Sequence, residues 1–146
     1  MIKKLSGIRK GTFHGGIINI MRAHRKACSE RFNEIGISHG QPKILSFLYF
    51  NDGCIQKVLA ENCHIEAATV TSILSNMEKA ELIYRVRNEN DKRVFNVFIT
   101  EKGKKLKLEV DKIFTEVDEI AFKGFSKDEK DMVIEFLDRI YKNIKE

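Results

Sequence analysis

Four basic side chains lie within nine positions of one another: Arg85, Arg87, Lys92 and Arg93. An arginine at the tip of a loop can enter the minor groove of duplex DNA, where narrowing over A·T tracts concentrates negative potential. Asp91, two residues before Arg93, is placed to grip its guanidinium by a two-pronged hydrogen bond, removing rotamer freedom that binding would otherwise have to remove. As a plain surface turn, the same pair would contribute little. A second set of groups falls between residues 66 and 80. Val70, Ile73, Leu74 and Met77 repeat at helical spacing, and at 100° per residue Ala68, Ser72, Ser75 and Lys79 fall opposite them, flanked by Thr69, Thr71 and Asn76. Hydroxyls, an amide and one ammonium suit base edges or phosphates in a major groove. Asn pairs with adenine, and Ala68 leaves room for a thymine methyl. Small polar residues also face outward on any surface helix, so this face by itself leaves both readings open.

Other reactive groups are scattered. Cys28 has His24 one turn before it and Arg25 and Arg31 nearby, a setting that could lower a thiol pKa. Cys54 and Cys63 are further candidate sensing thiols, and Cys63-His64 with Cys54 lacks zinc-type spacing, so no metal site is expected. Inert packing is the alternative for all three thiols. No nucleophile elbow, phosphate loop or zinc-protease motif occurs, and the chain is not expected to be an enzyme or to need a cofactor.

Charge placement agrees with contact to a polyanion. The chain of 146 residues carries +5, but residues 1–31 hold eight Lys/Arg against one acid and residues 84–105 hold seven against three, while the segments 32–54, 55–83 and 106–146 are net negative. With 42% apolar and 32% charged residues and one Pro, the composition is that of a globular domain. No apolar run approaches the roughly 18 residues that cross a bilayer, and no apolar stretch follows the basic start, so neither a membrane segment nor a secretory signal is expected. An odd number of cysteines, three, predicts a reducing, cytoplasmic setting.

The elements that must position these groups follow from periodicity. Phe13, Ile17, Ile20, His24, Cys28 and Ile35 predict a long helix stopped by Gly36. Ser38-His-Gly-Gln41 has the form of a capping box with Pro42 in the first turn of a helix reaching about Phe50. After the turn Asn51-Asp-Gly53, a short helix is expected from Ile55 to about Asn62, and another over 66–80 with Glu66 in its first turn. Leu82 to Arg87 alternates apolar and basic residues, Asn88-Glu-Asn-Asp91 supplies a turn, and Val94 to Thr100 completes a hairpin. Thr100 caps a helix with the stripe Leu106, Val110, Ile113, Val117, Ile120. Ser126-Lys-Asp-Glu129 opens a last one bearing Val133, Phe136, Leu137, Ile140 and Ile144. A short helix, a break, a second helix and a hairpin form the layout of a winged helix-turn-helix, here mainly α with a small β-hairpin wing and flanked by long terminal helices.

The whole chain resembles the multiple-antibiotic-resistance regulator (MarR) family of bacterial transcription regulators. The resemblance rests on Val58-Leu-Ala-Glu-Asn62, Ala68-Thr-Val-Thr71, Met77-Glu-Lys-Ala-Glu-Leu-Ile83, the wing Asn90-Asp-Lys-Arg93 and the junction Ile99-Thr-Glu-Lys-Gly-Lys-Lys-Leu106. It implies one domain over residues 1–146, with the winged helix-turn-helix at about 38–100 and dimerisation helices at 1–37 and 101–146. It further implies a homodimeric repressor on an inverted repeat of double-stranded DNA, released by a small aromatic or amphiphilic effector, with Asp91 and Arg93 as the wing pair. His24 and Cys28, which fall on the expected buried side of the first long helix, are the candidates for lining the effector site, with core packing as the alternative. Two other readings remain: a winged-helix module that docks on protein, and a regulator that senses oxidants through a thiol. Three departures matter. Ser72 stands where many relatives carry Arg, Lys92 replaces the commoner Arg, and Glu81 occupies the place of a glycine that a left-handed turn would favour.

Overall fold

The computed structural model describes residues 11–145, and four of the eight basic residues in the first charged block, Lys3, Lys4, Arg9 and Lys10, lie outside them. Helix α1, Phe13–Glu34, begins where the Thr12 hydroxyl accepts the Gly15 amide at 3.1 Å. It ends at Gly36, whose φ of 72° lets the chain turn left-handed while Gly36 and Ile37 donate to the carbonyls of Asn33 and Phe32. Helix α2, Gln41–Phe50, has only half of the expected box: the Gln41 side chain accepts the Ser38 amide at 3.2 Å, but the capping position belongs to Gly40.

The wing is larger than a hairpin. Ile55, expected to begin a helix, instead joins Cys54 in strand β1, Cys54–Ile55, and helix α3 follows as Gln56–Cys63. Helix α4 is Ala67–Lys79, with Glu66 at its N-cap, and strands β2, Ile83–Arg87, and β3, Phe95–Ile99, complete an antiparallel sheet ordered β1-β3-β2. Cys54 pairs with Val97 and Ile55 with Asn96, while Ile83 to Arg87 pair with Ile99 to Phe95. A two-residue strand is too short to show a period, which is why the sequence reads as helix there. Its turn is docked by Asp52, whose carboxylate accepts the Ile99 amide at 2.9 Å.

The core joins these elements. Ile44, Leu45 and Leu48 of α2, Leu59 of α3, Val70, Leu74 and Met77 of α4, and Val97 of β3 are all fully buried. Each such side chain contributes on the order of 1.5–3 kcal/mol of burial. Helix α5, Glu101–Ala121, adds Val110, and its first turn seals the base of the sheet. The Thr100 hydroxyl accepts the Gly103 amide at 3.0 Å and donates to the Glu81 carbonyl at 2.7 Å, while Lys102 donates to the Ala80 carbonyl. A methyl group on Gly103 would stand 2.2 Å from the Leu82 carbonyl oxygen, so only glycine permits this approach. Lys107 is buried under Tyr49, its ammonium 4.4 Å from the ring centre, and is paired with Asp111.

Along α1, Cys28 and Phe32 are buried, whereas Phe13, Ile20 and His24 are exposed. The expectation that His24 lies on the buried side is therefore corrected. Its ring stacks at 6.3 Å on Phe114 with its outer side open.

The chain divides into two compact units, one ending at Phe114 and the other starting at Thr115. In the second, Gly124 turns left-handed, Phe122 and Phe125 meet edge to face at 5.5 Å, and Ser126 and Glu129 exchange both bonds of a capping box, at 2.7 and 3.2 Å. That box starts helix α6, Lys127–Lys145, on which Phe136, Leu137, Tyr141 and Ile144 are exposed.

Candidate nucleic-acid interface

Helix α4 turns Val70, Leu74 and Met77 into the core, which forces Ala68, Thr69, Ser72, Asn76 and Lys79 outward, all of them exposed. Two of the predicted contact residues are occupied. The Thr71 hydroxyl donates to the Ala67 carbonyl and accepts the Gln56 side-chain amide at 2.7 Å, and Ser75 donates to the Thr71 carbonyl at 2.9 Å. Their protons are spent on the helix itself, leaving oxygen lone pairs as the groups they can offer. Among the described residues, no hydrogen bond engages the side chains of Thr69, Ser72 or Asn76.

The four wing cations divide into different environments. Arg85 faces α4, where Glu78 accepts its backbone amide at 3.1 Å and its guanidinium at 3.2 and 2.7 Å, with Ser75 a further neighbour at 3.5 Å. These bonds hold the Glu78 carboxyl below its ordinary range. Arg87 lies over the Phe95 ring at 5.2 Å and donates to the Lys92 carbonyl at 2.7 Å, closing the loop. The alternation read from the sequence marks two faces, of which the one bearing Ile83 and Arg85 meets α4. Tyr84, Val86 and Arg87 are exposed, while Ile83 is buried and Arg85 turns inward.

Arg93 is different. Its Nε and Nη2 each lie 3.0 Å from one oxygen of Asp91, and its backbone amide donates to the same carboxylate. Its side chain is 90% exposed, so the cation is fixed in direction yet open to solvent. Hydrogen bonds from Arg93 lower the Asp91 pKa, and the carboxylate raises that of Arg93. A groove of about 500 Å³ runs from Arg93 and Phe95 to Gln56 and Ala67, joining the wing tip to the start of α4. Lys92 is exposed beside it in sequence.

A separate cavity of about 520 Å³ is lined by Phe47, Phe50 and Phe114, with Lys43, Cys63 and His64 around it. Neither His24 nor Cys28 reaches it. Its lining comes from the consecutive helices α2 and α3 and the residues that end them, joined by Phe114 from far along the chain, and no spacing rule brings Phe114 to them. Burial is the main cause of raised thiol pKa values at Cys63 and Cys54.

Comparison with known proteins agrees with this architecture. The MarR family model matches residues 37–95. The uncharacterized HTH-type transcriptional regulator YybA of Bacillus subtilis is 30% identical over 125 residues, 86% of this chain and 83% of that one. A MarR transcriptional regulator from Methanosarcina mazei superposes with a TM-score of 0.80 at 29% identity, covering 89% of this chain and 94% of the other. A MarR family regulator from Listeria monocytogenes, solved in complex with a 26mer DNA, gives 0.77 at 29% identity, with 91% and 89% covered. With the fold, the wing and these relatives in agreement, the chain belongs to the MarR family and is a DNA-binding transcriptional regulator of the winged helix-turn-helix kind.

Proposed function

We propose that two copies of the chain bind an inverted-repeat operator in the cytoplasm, repress transcription from it, and are released by a small aromatic or amphiphilic effector, with no catalytic step. In this reading Ala68, Thr69, Ser72, Asn76 and Lys79 enter the major groove and Arg93, held by Asp91, reaches the adjacent minor groove. Thr71 and Ser75 contribute acceptor oxygens, Lys92 meets phosphate, Arg85 braces the wing from within, and Arg87 ties its loop from the exposed side. The observation that carries the reading is the aimed, solvent-open guanidinium of Arg93 at one end of a groove that begins at α4.

The dimer is supported by apolar side chains at both ends of the chain: Phe13 and Ile20 on α1, and Phe136, Leu137 and Ile144 on α6, are each at least 45% exposed. Burial against a second copy by two-fold symmetry would remove them from water. Two recognition helices would then lie about 34–36 Å apart, one turn of duplex. For the effector, the cavity floored by Phe47, Phe50 and Phe114 offers aromatic walls, with Lys43 and His64 to meet an anionic group.

Selection of bound duplexes from a random pool tests the proposal. An inverted repeat is expected, with affinity falling steeply as salt rises because each phosphate contact releases counterions. A single half-site, or little duplex affinity at any salt, would instead favour a protein-docking module. Oxidant-dependent release abolished by Cys28→Ser would favour the thiol sensor.

A further inference from the structure

Two asparagines eight residues apart join the wing tip to the body of the lobe. Asn96, on the middle strand, donates its side-chain amide to the Gly53 carbonyl at 2.7 Å, and its oxygen accepts the Asn88 amide at 2.8 Å. The Asn88 oxygen in turn accepts two backbone amides of the tip, Asn90 at 2.9 Å and Asp91 at 3.0 Å. Asp91 then takes the guanidinium of Arg93. The direction of this relay is set by its ends. A backbone carbonyl only accepts, so Asn96 must donate to Gly53 and present oxygen to Asn88, which must present its own oxygen to backbone groups that only donate. Both amides are thus satisfied in one orientation and no other.

The placement of Asn96 is otherwise costly. It stands mid-sheet, cross-strand from Val86 and Ile55, where β-branched and aromatic residues are favoured and asparagine is not. We propose that Asn88 and Asn96 are positioning residues for DNA binding: they fix the loop that carries Asp91, and through it the direction of Arg93. This rests on the reading of Arg93 as a DNA contact. The relay is uncharged, so it orders the tip without placing a competing carboxylate nearer the DNA. Arg93 then enters the minor groove with part of its ordering already accomplished in the free protein.

The test measures binding of a labelled random-sequence duplex at low salt by the wild type, Asn88→Ala, Asn96→Ala, Arg93→Ala and the two double variants. Backbone amide exchange at Asn90 and Asp91 is followed in the free proteins. Either asparagine variant is expected to weaken binding by about three- to tenfold, the range for loss of one or two neutral hydrogen bonds. It should speed exchange at both amides while leaving α4 protected, and it should have no further effect once Arg93 is alanine. Equal losses with and without Arg93 would show that the asparagines only support folding, and unchanged binding in both asparagine variants would remove them from the mechanism. If Arg93→Ala itself leaves binding intact while exchange responds as expected, the wing reading fails and the positioning role falls with it, although the relay is real.

Discussion

Glu78 and Arg85 lock the recognition helix to the wing: one carboxylate receives the backbone amide of Arg85 and both prongs of its guanidinium, the shortest contact being 2.7 Å. The two residues are seven positions apart, and the pair ties α4 and β2 into a single unit. Glu78→Gln keeps one acceptor and loses the ion pair. Because the Glu78 side chain is 38% exposed, solvent screening limits the expected loss to about 1 kcal/mol in urea unfolding. The pH dependence has a definite sign. Arg85 lowers the folded pKa of Glu78 below its ordinary value of 4.5, so the stabilisation is present above that value and disappears as the pH falls through the folded pKa. The gap between wild type and Glu78→Gln should therefore narrow in acid. A gap that stays constant from neutrality to strong acid would count against this role.

Arg93→Ala is expected to weaken binding to specific and unrelated duplexes alike, on the order of tenfold, and to reduce the salt slope by about one counterion. Asn76→Ala and Ser72→Ala should leave that slope unchanged and alter preference among sequences. Binding titrations across a salt series separate the two effects.

Glu81 is held at φ 59°, in the left-handed region. That conformation costs a side-chain-bearing residue about 1–2 kcal/mol, part of which glycine returns as unfolded-state entropy. Glu81→Gly should gain roughly 0.5 kcal/mol in chemical denaturation, and Glu81→Val should lose more than that. Equal stability of the three would mean that the turn relaxes.

Gly103→Ala tests the seam between α5 and the sheet. Helix propensity alone would favour alanine by about 1 kcal/mol. The Leu82 carbonyl and the Ile99 side chain, 2.2 and 2.8 Å from the added methyl group, should reverse the sign to a net loss of about 1–3 kcal/mol.

Burial raises the pKa values of Cys54 and Cys63, so both should react slowly with a thiol reagent at neutral pH and quickly in denaturant. Fast labelling of either in the native protein would reopen a redox role at that position.

Much of this was legible in the sequence because it is local. The helical stripes, the Ser126–Glu129 box, the left-handed Glu81 and the Asp91–Arg93 grip all involve residues within a few positions, where spacing dictates geometry. What escaped depends on pairing between distant segments. Strand β1 exists because Cys54 and Ile55 meet Val97 and Asn96, and the amide relay needs that same register. Alternation along β2 marked two faces without saying which would meet α4, and Glu78 decided it. The stripe on α1 likewise marked a face without saying what covers it, so His24 reads as buried where the chain leaves it open.

The outward side chains of α4 lend nothing to the interior: among the described residues, Thr69, Ser72 and Asn76 bond to no other group. With α4 reading DNA as proposed above, shape and address are written in separate residues. A lineage carrying this scaffold can exchange those three positions and acquire a new target without first surviving an unstable ancestor, whereas drift at Glu78 or Gly103 would be punished before any change of target could be tried.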